Sequence, residues 1–95
     1  MTLTLKPIGP RDYSVRDDGQ PIGRIRFADE RAPAVWIWNV IIHIPTPSGL
    51  PIGTAQDLET AKAEFKAAWT AFKAKQTPES LAQAYKGMNL REDSD

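Results

Sequence analysis

The hydrophobic residues of this chain change their spacing between residues 44 and 57, and that change restricts the fold more than any other feature. From 3 to 44, apolar and β-branched residues alternate with polar ones; from 57 to 86, Ala, Lys, Glu and Leu recur at helical spacing. A half-buried strand repeats every second residue and an amphipathic helix about every 3.6, so the order is sheet first, helix second. With 95 residues, 41% of them hydrophobic, there is material for one core only, since a domain of this size buries roughly 60–65% of its unfolded surface. The expected architecture is α+β: a three-stranded antiparallel β-meander packed against one long α-helix over 57–75, with a short C-terminal helix over 78–86. The Pro- and Gly-dense stretch within 45–56 reads as the connection between the halves, and 91–95 as a flexible tail. The pattern leaves open whether Leu3 to Ile8 adds a fourth strand.

The segments Tyr13 to Arg16 and Ile22 to Phe27 flank Asp17, Asp18 and Gly19, the composition of a hairpin tip. Two loop lengths compete. A two-residue Asp18-Gly19 turn opposes Tyr13 to Arg24 and Val15 to Ile22, which mixes an arginine into the apolar face. A three-residue loop with Gly19 left-handed opposes Tyr13 to Gly23 and aligns Tyr13 and Val15 with Ile25 and Phe27, so it is the preferred reading. The tyrosine ring then covers a bare glycine across the strands. Ser14, Arg16, Arg24 and Arg26 share the opposite face.

Val35 to Ile44 has β propensity throughout. One face carries Trp36, Trp38, Val40, Ile42 and Ile44; the other carries Val35, Ile37, Asn39, Ile41 and His43. A meander under one helix layer needs a single apolar face. The second must therefore be covered by the Leu3/Leu5 segment, the last helix or another copy of the chain.

In the helical half, Asp57 stands where an N-cap is needed. Leu58, Ala61, Phe65, Ala68, Trp69 and Phe72 form the stripe that meets the sheet, Lys62, Lys66 and Lys73 line one flank, and Ala63, Ala67, Ala71 and Ala74 stand opposite. Thr77 and Pro78 read as cap and first residue of the second helix, with Gly87 as its left-handed stop. Leu81, Tyr85, Met88 and Leu90 are that segment's residues to bury.

Several chemistries have no residues to carry them. Without cysteine there is no disulfide, thiolate nucleophile or Cys-based zinc site, which points to the cytoplasm. His43 is the single histidine; among Ser14, Ser48, Ser80 and Ser94 only Ser48 is near it in sequence, and none sits in a nucleophile elbow. No catalytic residue is assigned, and the chain is not expected to be an enzyme. Asp12, Asp17, Asp18, Asp29 and Glu30 occupy turns without calcium-loop spacing, so no metal is expected. Gly49 to Thr54 precedes a helix, where a phosphate loop belongs, but it lacks the lysine and Pro51 removes an amide donor. No cofactor is expected either. The start has no basic segment ahead of a long apolar one, and the run from Val35 to Ile44 is about half the ~20 residues of a membrane span.

Twelve Lys plus Arg balance twelve Asp plus Glu, which argues against a dedicated nucleic-acid binder. The balance is uneven along the chain: arginines gather in the sheet half and lysines in the helical half.

The series Tyr13, Val15, Asp18, Gly19, Ile22, Gly23, Arg24 and Ile25, then Trp36 and Trp38, then Ala55, Leu58, Glu59, Ala61, Lys62, Phe65 and Trp69 resembles small uncharacterised proteobacterial proteins built as a β-hairpin, a WxW strand and a helix. That resemblance implies a fold and no activity. The order of three strands and a helix is also similar, in topology, to the AP2 and phage-integrase arm-binding type, which implies a sheet that reads DNA. The residues themselves point first to a small non-enzymatic protein-interaction module. It would act through an Arg/Trp face of Arg16, Arg24, Arg26, Trp36 and Trp38, toward a protein partner or a second copy in a homodimer. The alternative is weak nucleic-acid binding through Arg16, Arg24 and Arg26.

Overall fold

A computed structural model describes residues 3–47 and 49–93, with side chains placed as far as Asn89. Five strands in chain order form one antiparallel sheet: β1 (Leu3–Gly9), β2 (Asp12–Asp17), β3 (Gln20–Ala28), β4 (Val35–Val40) and β5 (Ile52–Ala55). Two helices follow, α1 (Leu58–Ala74) and α2 (Pro78–Asp93). The class is α+β as expected, but the sheet is five-stranded rather than three-stranded. The segment left open at Leu3 becomes β1, and β5 lies inside the stretch read as a connection. Proline and glycine around Ile52–Ala55 mask a strand of only four residues, which exists because β4 offers it a partner: Trp36 opposes Ala55 and Trp38 opposes Gly53. The Trp38 ring comes within 2.5 Å of where a Gly53 Cβ would stand, so the covering of a bare glycine by an aromatic ring occurs here and not at Tyr13.

The hairpin between β2 and β3 combines the two loops that competed. The turn is the two-residue one, with Asp18 and Gly19 both left-handed (φ 50° and 85°), the backbone of a tight turn whose twist matches the strands. The apolar alignment is nevertheless kept. A bulge between Val15 and Arg16 leaves Ile22 as an extra residue, so Val15 opposes Gly23 and Tyr13 opposes Ile25. One inserted residue restores the face that the short turn would have inverted. Ile22 itself is fully buried.

β4 ends at Val40, four residues before the expected limit. Beyond it the Ile41 N–H donates to the Ile22 carbonyl at 2.8 Å and Ile42 turns into the core. The buried face of the sheet carries Val15, Ile25, Trp38, Val40 and Ala55, packed against Ala61, Phe65, Trp69 and Phe72 of α1. Asp57 caps α1 as expected, accepting from the Thr60 N–H at 2.7 Å. Thr77 caps α2 through its hydroxyl, which accepts from the Ser80 N–H at 3.0 Å. The second helix does not stop at Gly87 but continues to Asp93. Ala84 is buried and Leu81, Tyr85 and Met88 pack on the core, and these contacts carry the helix through a residue of low intrinsic propensity. Ser48, Ser94 and the Leu90 side chain lie outside the described residues, as does the end of the expected tail.

Candidate interaction surface

α1 covers one side of the sheet; the other is open around Arg24, Arg26 and Ile37 but is approached by α2, whose Met88 shares a hollow with Ile8, Ser14, Pro21, Arg24 and Ile41. Register decides which residues the open side holds. Arg26 opposes Ile37 and Arg24 opposes Asn39, whereas Phe27 opposes Trp36 and Ile25 opposes Trp38. Side chains on directly opposed residues share a face, so Arg16, Arg24 and Arg26 come together on the open side and both tryptophans lie on the helix side. The expected Arg/Trp face is thus divided between two surfaces. Its arginines have Ile37 and Asn39 for neighbours.

The tryptophans have separate roles. Trp38 is buried, meets Phe65 edge-on at 6.0 Å and donates from Nε1 to Glu64 at 2.9 Å. Trp36 is half-buried, stacked on Tyr13 at 6.4 Å and tilted against Phe27 at 5.2 Å. A cation does sit on this cluster, but it is Arg11, 5.1 Å above Phe27. Arg11 adopts a left-handed backbone (φ 53°) in the β1–β2 turn, a conformation that sequence spacing did not signal.

Two of the arginines on the open face are compensated, whereas Arg16 and Arg31, the latter lining the same hollow as Arg24 and Arg26, make no ion pair among the described residues. Arg24 donates from Nε to Asp12 Oδ1 at 2.8 Å and forms a second bond from its terminal nitrogen to Asp12 Oδ2. This two-pronged pairing holds the Asp12 carboxyl below the usual carboxylate range and raises the guanidinium. Arg26 donates to Glu30 at 3.1 Å; the Glu30 carboxyl is lowered first by its own backbone amide and then by Arg26. Arg16 reaches the Gly19 carbonyl at 3.4 Å. Between these groups lies a shallow hollow of about 620 Å³, lined by Arg24, Arg26, Ile37, Ile41, Ile52 and Thr54 among others. Ile52 is 69% exposed and Ile41 43%. Neither isoleucine was assigned to a surface site from sequence. The alternation that runs on past Val40 hides Ile41, and the proline and glycine around Ile52 hide β5.

His43 follows β4 in an exposed position and shares a hollow with Ile44, Pro45, Ser80, Gln83 and Ala84. Ser80 is therefore the serine brought toward it, and no carboxylate lines that hollow. Among the described residues no group of three or more His, Cys, Asp or Glu could hold a metal ion, and no helix is long and apolar enough to cross a membrane. No family model, curated protein or solved structure matches the chain.

Proposed function

We propose that this protein is a small non-enzymatic interaction module that binds another protein surface, in the first instance a second copy of itself, through the open face of its sheet. The observation that carries the reading is the pairing of exposed Ile41 and Ile52 with arginines already matched to acids on the same face. Arginine is enriched in protein interfaces, and homodimer interfaces are more apolar than the rest of the surface. A phosphate backbone instead recruits cations that are free to replace its counterions, and Arg24 and Arg26 would have to leave Asp12 and Glu30 to do so. Alternating arginines and acids also suit a two-fold contact, where each copy meets the complement of its own pattern.

The test is a backbone amide shift map recorded over a concentration series, and again with duplex and single-stranded DNA at low salt. Concentration-dependent shifts at Ile37, Ile41, Ile52 and Thr54 are expected, with none on adding DNA. Ile52→Asp, at an exposed position, should abolish them without altering the melting temperature. Shifts at Arg16, Arg24 and Arg26 that appear only with DNA and fade with salt would transfer the face to nucleic-acid binding. Concentration-independent spectra would overturn self-association.

A further inference from the structure

We infer a second docking site on the helix side of the sheet: the free edge of β1 beside α1 accepts an extended peptide as a sixth strand. The peptide would carry an apolar and an acidic side chain two residues apart. Among the described residues β1 ends the sheet and pairs only with β2. None of its residues makes a backbone bond on the other side among the described residues. α1 runs over β4 and β5, reaching Gly23 through Phe65 and Asp17 through Trp69, so the strip of sheet nearest β1 is left without a roof.

The result is a groove of about 220 Å³ floored on the sheet by Leu3, Leu5, Val15 and Ile25 and walled on the helix by Phe65, Lys62 and Lys66. Its volume falls below the roughly 300–1,000 Å³ of small-molecule pockets, whereas an apolar slot beside an open strand edge is the geometry of strand addition. There, main-chain bonds supply affinity and alternate side chains supply specificity. Pro7 limits where such bonds form, because it offers no donor. The stretch from Leu3 to Lys6 is free of proline.

Charge selects the occupant. Lys62 is half-exposed and pairs with Glu59 at 2.8 Å, while Lys66 is exposed and makes no ion pair among the described residues. An acidic side chain on the helix-facing side of an added strand reaches Lys66, and its apolar neighbour two residues away enters the groove. A second copy pairing edge to edge would bring the lysine rims of two helices together, which is unfavourable.

The probe is the capped heptapeptide Thr-Val-Thr-Glu-Thr-Val-Thr, whose Val and Glu side chains share one face. Titrated into the intact chain, it should shift the amides of Leu3, Thr4, Leu5 and Lys66 and slow amide exchange along β1. Exposed Lys66 is replaceable without loss of fold, and Lys66→Ala should weaken binding about twofold to fivefold, the worth of an exposed ion pair. Exchanging the peptide's Glu for Lys should weaken it further, and N-methylating alternate peptide amides should abolish binding in the register that faces β1. Shifts confined to the open face, binding indifferent to N-methylation, or pairing of β1 edges without peptide would each overturn the assignment. The open-face reading is scored on different residues, so either can fail alone.

Discussion

Asp17 ends β2 with its side chain almost wholly buried, and it ties the hairpin tip to the last turns of α1. Its Oδ2 accepts from Trp69 Nε1 at 3.0 Å and from Lys73 Nζ at 2.8 Å. Asp17→Asn keeps the shape and an acceptor for Trp69 but removes the charge that Lys73 faces. A hydrogen bond to a charged group contributes about 1.5–3 kcal/mol. The Lys73 side chain is 35% exposed, so water screens its share, and the Asn variant should lose about 1–2 kcal/mol. Asp17→Ala also strands the indole N–H and should lose about 3 kcal/mol. In a domain of this length 1 kcal/mol moves the melting temperature by about 4–8 °C, so both losses are measurable by thermal unfolding. The pH dependence has a definite sign. Burial alone pushes the Asp17 carboxyl up, but hydrogen bonds from Lys73 and Trp69 outweigh it and leave it below its ordinary value. A carboxylate held lower in the folded state stabilises fully above its unfolded pKa, about 3.9, and loses that contribution as pH falls through the folded value. The parent should therefore lose stability below about pH 4 more steeply than Asp17→Asn. Asp12 and Asp57 are lowered as well, so the difference between the two profiles isolates Asp17. An Asn variant that melts with the parent at neutral pH, or keeps the parent's slope in acid, would refute this account of the tie.

Two glycines separate packing from helix continuity. A Cβ on Gly23 would stand 2.5 Å from both the Asn39 carbonyl oxygen and the Phe65 ring; the carbonyl is backbone and cannot step aside, so Gly23→Ala should cost about 1–3 kcal/mol, read as a lower denaturation midpoint. Gly87 has nothing within 4 Å of its would-be Cβ and lies inside α2. Gly87→Ala should raise stability by about 0.5–1 kcal/mol, whereas a fall would restore the left-handed stop expected from sequence.

What could be read in advance follows from how local each determinant is. The Asp57 and Thr77 caps and the stripe Ala61, Phe65, Trp69 and Phe72 depend on spacing within a helix turn, and all are found. So is the shared face of Arg16, Arg24 and Arg26: alternation puts Arg24 with Arg26, and keeping the hairpin's apolar residues on one face adds Arg16. The hairpin register was inaccessible in detail, since a tight turn plus a bulge at Ile22 gives the same apolar alignment as a longer loop without one. β5 was missed because its four residues carry no periodic signal and acquire one only from Trp36 and Trp38 across the ladder. The division of the Arg/Trp face has the same origin. Which row of β4 lies beside the arginines depends on the β3–β4 pairing, a contact that crosses the 29–34 turn. Asp17 looked like a turn acid; only the arrival of Trp69 and Lys73 from more than fifty residues away makes it a core group.

The zero net charge conceals two surfaces whose charges are arranged differently. On the open face Arg24 and Arg26 are held by Asp12 and Glu30, so approach there is governed by shape and by Ile41 and Ile52 more than by long-range attraction. At the β1 groove Lys66 makes no ion pair among the described residues, and the proposed acidic peptide would supply one. The two surfaces lie on opposite sides of one sheet, so occupancy of one does not obstruct the other. A strand added at β1 would lengthen the sheet without touching the hollow around Ile37. If both proposals hold, a peptide at the β1 edge and a second copy on the open face would be bound at the same time, and saturating the chain with the peptide should leave the concentration-dependent shifts at Ile37, Ile41 and Ile52 unchanged.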